Sequence, residues 1–416
     1  MFIAGDARRF GGRCGNRPTL EPSNSKQRVQ FSMTQQRSAE VHAVAAPSVY
    51  DRLGVKTVIN AAGTLTTLGG SLMPPEVLAA LTSAAQHFVD LEELQTRIGE
   101  RIAALIGVEA ALVTTGAAGA MLLGTAAAVT RGDRERIARL PDTTGMPNEV
   151  LTQKSHHTGY DHQITGCGVQ LVDVETREEL EWAISERTAL MLFYNLLEPN
   201  GQITKEEWIE VAHRRGIPTL VDAAADVPPL EALSRYNRLG FDLVAISGGK
   251  GLSGPSNTGL LLGKRDLIAA ARLNASPNCG TIGRMLKVSK EDMVALWAAV
   301  ERYFRLDHAA ELREWERRLT EIEKLLGGIP TVTTQRFVPP IANHVPHLLV
   351  FWDETCIPLN HDQVTRKMAE GERPIALGRV SGTGDRGLLI SVFQLKPGEE
   401  LIVGNRLAEI LKESTV

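Results

Sequence analysis

Asp242-Leu243-Val244-Ala245-Ile246-Ser247-Gly248-Gly249-Lys250-Gly251-Leu252-Ser253-Gly254-Pro255 runs an apolar strand directly into a lysine flanked only by small residues. A short apolar run bounded by turn residues has the character of a strand buried on both faces. The glycines around Lys250 leave its amine at a strand end with room for a planar ligand beside it. In a parallel sheet that end is where ligands bind.

Outward from this segment, strands and helices alternate. Strands are expected at Val55 to Asn60, Ala111 to Thr114, Val150 to Gln153, Val169 to Val174, Ala189 to Tyr194, Ile217 to Val221, Leu243 to Ser247 and Thr258 to Leu262. Helices are expected from Pro74-Pro75-Glu76 onward, and at Ala117 to Val129, Arg177 to Ser185 and Lys205 to Arg215. Apolar strands separated by amphipathic helices argue for a mostly parallel α/β sheet covered on both faces. A charged helical region, Lys290 to Leu326, then leads to Gly327-Gly328-Ile329-Pro330 and to a smaller α+β domain, with strands near Val332, Leu348 and Leu388 and helices near Asp362 and Glu399. The expected organisation is a polar, disordered tail over 1–48, a ligand-binding domain over 49–290, and a linking helix with the small domain over 291–416.

The chain has 416 residues, 43% of them hydrophobic, which is enough to bury a sizeable core. With 45 Lys+Arg against 49 Asp+Glu, a net charge of −4 gives no phosphate-backbone-binding face, so nucleic acid is not an expected partner. No apolar stretch approaches the roughly 18 residues that would span a bilayer, so neither is a membrane. Cys14, Cys167, Cys279 and Cys356 lack metal-ribbon or disulfide-scaffold spacing and fit a reducing cytoplasm.

Asp222 ends the strand Ile217-Pro218-Thr219-Leu220-Val221, and its carboxylate can reach the same crevice as Lys250. An amine that condenses with an aldehyde and an acid that pairs with a pyridine nitrogen together suit pyridoxal 5'-phosphate. Ser247, three residues before Lys250, and Gly116, Ala117 and Ala118, at a helix start, could hold the phosphate. In Ser155-His156-His157-Thr158-Gly159-Tyr160-Asp161-His162 one imidazole, His156 or His157, could stack on the ring while its neighbour serves as proton donor or hydrogen-bond partner. A metal bound by these histidines is the competing reading, without an HExxH-type arrangement to support it. Asn195 could hydrogen-bond the ring's phenolic oxygen, or simply form a turn. Arg379 is the first candidate for a substrate carboxylate and Arg386 the second. Gly249-Lys250-Gly251 is not a nucleotide P-loop, because Gly251 replaces the required serine or threonine, and no Gly-x-Gly-x-x-Gly follows an early strand.

Ile59-Asn60-Ala61-Ala62-Gly63-Thr64, Glu93-Leu94-Gln95, Glu109 to Ala118, Val221-Asp222-Ala223-Ala224-Ala225 and Ser247 to Pro255 together resemble the selenocysteine-synthase-like group of fold-type-I pyridoxal-phosphate enzymes. That group holds L-seryl-tRNA selenium transferase and D-glucosaminate-6-phosphate ammonia-lyase. The likeness is nearer to the ammonia-lyase branch, where Gly-Gly-Lys and Gly-Tyr-Asp-His also occur. The segment Leu389-Ile390-Ser391-Val392-Phe393-Gln394 departs from the group's Asp-Pro-Arg version. The resemblance implies an aminotransferase-like fold, with Lys250 joined to the cofactor, Asp222 on its pyridine nitrogen, and Ser247, Gly116 and Ala117 on its phosphate. It also implies a symmetric homodimer or higher homo-oligomer. The reaction expected is a lyase's: β-elimination from a small hydroxy amino acid or amino sugar acid, releasing a 2-oxo acid and ammonia. Aminotransferase, racemase and selenium-transferase-like chemistry, and a non-catalytic cofactor-binding protein, are the alternatives.

Overall fold

The computed structural model describes residues 48–378 and 387–415. Its strands are β1 (Ile59–Ala61), β2 (Ala110–Thr114), β3 (Glu149–Gln153), β4 (Gln170–Val174), β5 (Thr188–Tyr194), β6 (Thr219–Asp222), β7 (Leu243–Ser247), β8 (Gly259–Gly263), β9 (Thr333–Phe337), β10 (His347–Phe351), β11 (Ile375–Leu377) and β12 (Leu388–Ser391). The helices that position the site are α1 (Pro75–Ala85), α2 (Leu91–Ile106), α3 (Gly116–Thr130), α4 (Lys205–Arg215), α5 (Ala232–Leu239), α6 (Lys290–Arg305) and α7 (His308–Leu326).

Seven strands form the large sheet in the order β2-β8-β7-β6-β5-β3-β4. All neighbours are parallel except β8, which runs antiparallel to β2 and β7. The apolar runs read as doubly covered strands because they are. On β5, Leu190 and Leu192 face the α3 side while Met191 and Phe193 face the other, and none of the four has exposed surface. Burying each such side chain stabilises the fold by about 2 kcal/mol. Helix α3 is apolar and small all round, and its glycines and alanines let it lie close on the sheet. A Cβ at Gly124 would come within 3.3 Å of Leu243 and 3.4 Å of Leu220.

The C-terminal layer is the antiparallel sheet β12-β10-β9 together with a parallel pair, β1 with β11. Ile59 and Ala61 pack in the core of the C-terminal layer, although they precede the large sheet in sequence. Helix α6 belongs to the large sheet's core through Met293, Leu296, Val300 and Tyr303. The anticipated helical region Lys290 to Leu326 breaks at Leu306, whose ψ of 142° leaves the helix, and Asp307 then caps α7 by accepting the Ala310 N–H at 2.9 Å. The strand expected from Val55 forms only at Ile59, with Val55 and Val58 exposed. The expected tail, apart from Ser48, lies outside the described residues. No helix among the described residues is long and apolar enough to cross a membrane.

Candidate active site

The carboxyl ends of β5, β6 and β7 bring the main groups together. Tyr194 pairs with Asp222 across β5 and β6, and Asp222 pairs with Ala245 across β6 and β7. Ser247 lies two residues further along β7, and Lys250 follows in the turn after the strand. One strand spacing and two residue steps separate Asp222 from Ser247, about 8 Å between backbones. That is the scale of a phosphorylated pyridine.

Asp222 accepts the Ala224 N–H at 3.0 Å. Burial raises its carboxyl to about 6, against the opposing pull of that N–H and of the Lys250 charge, while Asp226 adds to the rise. Lys250 is half-buried, and desolvation lowers the proton affinity of its amine while Asp222 and Asp226 hold it up. Lysine and aspartate are thus close enough to act on each other's charge, as a shared ring requires. Each is also disfavoured as an ion by burial alone, so a cationic pyridine ring beside Asp222 would relieve a cost already present.

The register makes a second constellation. Gly259 of β8 pairs with Thr114 on one side and Ser247 on the other. A side chain at Gly259 would collide with the backbone of Gly116 and Ala117, so only glycine lets β8 approach the start of α3. The Thr115 side chain gives α3 no capping bond, and its buried hydroxyl has no partner. A fifteen-residue helix therefore presents unpaired N–H groups at Gly116, Ala117 and Ala118 beside Ser247. This donor set fits a phosphate dianion, and with Lys250 and Asp222 it fits pyridoxal phosphate.

Two expected residues are occupied elsewhere. Asn195 is 2% exposed, and its amide donates to Asp226 Oδ2 at 2.6 Å and to the Tyr236 hydroxyl at 2.8 Å, while Lys205 donates to its Oδ1 at 3.2 Å. With both N–H groups committed, it has no donor left for a ring oxygen. His156 has no exposed surface and packs edge-on against Phe193, ring centres 4.7 Å apart. Burial holds it neutral, lowering it to about 4, and the Tyr194 N–H donates to its Nδ1 at 3.4 Å. Of the two adjacent imidazoles, His156 is thus the one enclosed by protein and hydrogen-bonded within it.

His157 is different. Asp161 at 2.6 Å and Asp173 at 2.8 Å hold its two nitrogens, and hydrogen bonding to Asp161 raises its proton affinity. Its side chain remains 41% exposed. Asp161 also accepts the Tyr194 hydroxyl at 3.0 Å, which ties this imidazole to the strand beside Asp222. No group of three or more metal-ligating side chains occurs among the described residues. Arg379 and Arg386 lie outside the described residues.

The sequence reading missed Asp226, Tyr194, Tyr236 and Lys205. Asp226 stands four positions after Asp222 and one beyond the quoted Val221 to Ala225, so its spacing was the available signal. Tyr236 and Lys205 sit on separate helices, and only the fold joins them to it.

The family model described as aminotransferase class-V matches residues 151–290. Among curated proteins, D-glucosaminate-6-phosphate ammonia lyase of Salmonella typhimurium is 31% identical over 387 residues, covering 88% of this chain and 99% of that protein. A 5'-C-glycyluridine monooxygenase-decarboxylase of a Streptomyces species is 32% identical over 300 residues, covering 69% of this chain and 73% of that one. A solved structure of D-glucosaminate-6-phosphate ammonia-lyase superposes with a TM-score of 0.77 at 30% identity, covering 89% of this chain and 99% of that chain. The chain therefore belongs to the fold-type-I pyridoxal-phosphate family that includes D-glucosaminate-6-phosphate ammonia lyase, and it is a pyridoxal-phosphate-dependent lyase.

Proposed function

We propose that the chain catalyses β-elimination from a small β-hydroxy amino acid or an amino sugar acid, releasing a 2-oxo acid and ammonia. The observation that carries this reading is the register that sets Lys250, Asp222 and the Ser247–Gly259–Thr114 row at one end of one sheet. The likeness to the ammonia lyase over nearly its whole length supports the reaction class.

When bound, pyridoxal phosphate supplies an electron sink for the pair left at the substrate's α-carbon. The N–H groups of Gly116, Ala117 and Ala118, with the Ser247 hydroxyl, bind the phosphate. The Asp222 carboxylate holds a proton at the pyridine nitrogen, which keeps the ring electron-poor. His157, its nitrogens clamped by Asp161 and Asp173, presents its ring from the loop after β3 and takes the stacking role. With the cofactor and substrate bound, the Lys250 amine would receive the α-proton at Nζ. The β-hydroxyl leaves as water, and a second water completes release of ammonia and the 2-oxo acid, so the net change is loss of ammonia. Arg379, with Arg386 as second choice, holds the substrate carboxylate.

A cytoplasmic setting is supported by the three described cysteines being free. A two-fold homodimer is supported by exposed apolar side chains between β1 and α2, among them Leu65, Leu72 and the fully exposed Phe88.

The test is a panel of D- and L-hydroxy amino acids and amino sugar acids, assayed for ammonia and 2-oxo acid. Both products in equal amounts are expected from at least one member. Oxygen uptake with carbon dioxide release and no ammonia would overturn β-elimination and favour the reaction named for the Streptomyces relative.

A further inference from the structure

We propose that Asp226 is a positioning residue for the Lys250 amine: a fixed buried carboxylate that stabilises the ammonium once Lys250 has taken a proton. The proposal rests on Lys250 being the cofactor's lysine.

Asp226 is 7% exposed and sits in the loop between β6 and α5. The Tyr236 hydroxyl and the Asn195 amide both donate to its Oδ2, leaving Oδ1 outside these bonds. Lys205 completes the frame through Asn195 and Glu198. Two donors from separate elements thus converge on one carboxylate oxygen, with Lys205 bracing one of them, more fixation than a loop residue needs to cap a turn. From the other side, the Asn343 N–H of the C-terminal layer donates to the Ala225 carbonyl at 2.7 Å, pinning the neighbouring residue.

The position relative to Lys250 follows from backbone contact. A Cβ at Gly251 would overlap the Val227 carbonyl, so the residue after Lys250 lies directly against the residue after Asp226. The electrostatics agree, since Asp222 and Asp226 are the two carboxylates that favour the charged Lys250 amine. Burial raises the Asp226 carboxyl, opposed by the hydrogen bonds from Tyr236 and Asn195 and by the charges of Lys205 and Arg235. The two acids then divide the work. A pyridine-ring proton occupies the charge of Asp222, and Asp226 is the second carboxylate that Lys250 meets after taking a proton.

The test uses the full chain freed of cofactor by an amine wash, then given pyridoxal phosphate and cyanoborohydride across a range of pH. The rate of reductive fixation at Lys250 is followed by peptide mass spectrometry. The wild-type rate should rise with pH through a midpoint set by the amine. Asp226→Asn should lower that midpoint by about one pH unit, giving roughly tenfold faster fixation below it, and Asp226→Glu should restore most of the wild-type midpoint. The double variant Asp226→Leu/Tyr236→Phe, which replaces both buried partners with apolar groups, should behave as Asp226→Asn does. Unchanged midpoints in folded neutral variants, with only a lower melting temperature, would overturn the proposal and make Asp226 structural. Absence of fixation at Lys250 in the wild type would instead overturn the reading on which it rests.

Discussion

Tyr194 and Asp222 are register partners on adjacent strands, and the Tyr194 hydroxyl reaches Asp161 at 3.0 Å on the helix that follows His157. The acid proposed for the ring nitrogen and the imidazole proposed for the ring face are therefore connected through one phenol. In Tyr194→Phe, Asp161 loses a donor while its bond to His157 remains. A stability loss of about 1 kcal/mol is expected, with weaker cofactor retention, measured by chemical denaturation and by cofactor titration.

Asp222 carries a distinctive pH signature. Its folded carboxyl stands at about 6, above its ordinary value near 3.8, so the cofactor-free native state binds the extra proton between those values. Stability of the cofactor-free chain should fall as pH rises through that window. Asp222→Asn should remove this fall and stabilise the cofactor-free chain at pH 8 by on the order of 1–3 kcal/mol, while sharply weakening function. Urea denaturation of both forms at pH 4.5 and pH 8 checks it.

His156 acts in the opposite sense. It is neutral in the native state down to about 4, whereas the unfolded chain protonates near 6.5. Stability contributed by the neutral ring should be full above that range and lost as pH falls from 6.5 toward 4. His156→Gln should flatten this acid limb, even if it lowers stability at pH 8 by disturbing the contact with Phe193.

His157 should titrate above the ordinary histidine range, because Asp161 and Asp173 both favour its charged form. An NMR titration should show Asp161→Asn bringing its midpoint down. The stability from this pairing is complete below about 6.5 and is lost as pH rises through the folded value.

Gly259 tests the phosphate cradle. Gly259→Ala forces a Cβ onto the Gly116–Ala117 backbone, and relieving that overlap separates β8 from the start of α3. Overpacking of this kind costs about 1–3 kcal/mol, and an equal loss in cofactor binding means roughly 5- to 150-fold weaker retention. Equilibrium dialysis against pyridoxal phosphate measures it.

The sheet is legible because its central strands are buried on both faces and therefore read as unbroken apolar runs, as in Leu243 to Ser247. Helix α2 is less legible, although Leu94, Ile98, Ile102 and Ile106 repeat at helical spacing, because Glu92, Glu93, Glu100 and the arginines dilute the signal. The break at Leu306 was hidden for the opposite reason, since charge and periodicity continue across it and only Asp307 marks a new start. Lys250, Asp222 and the start of α3 stand out from local context because each lies at the end of a strand, and the register brings them to one end of the sheet. Asn195 and His156 could not be assigned that way. Their side chains follow strands correctly but turn toward Asp226 and Phe193, and that choice is made by residues distant in sequence.

An absorbance titration with pyridoxal phosphate, wild type against Lys250→Ala, tests the central claim most directly. The wild type should develop a visible band that saturates at one cofactor per chain, and Lys250→Ala should remain folded without that covalent band. A folded wild type that stays colourless at saturating cofactor would contradict the account.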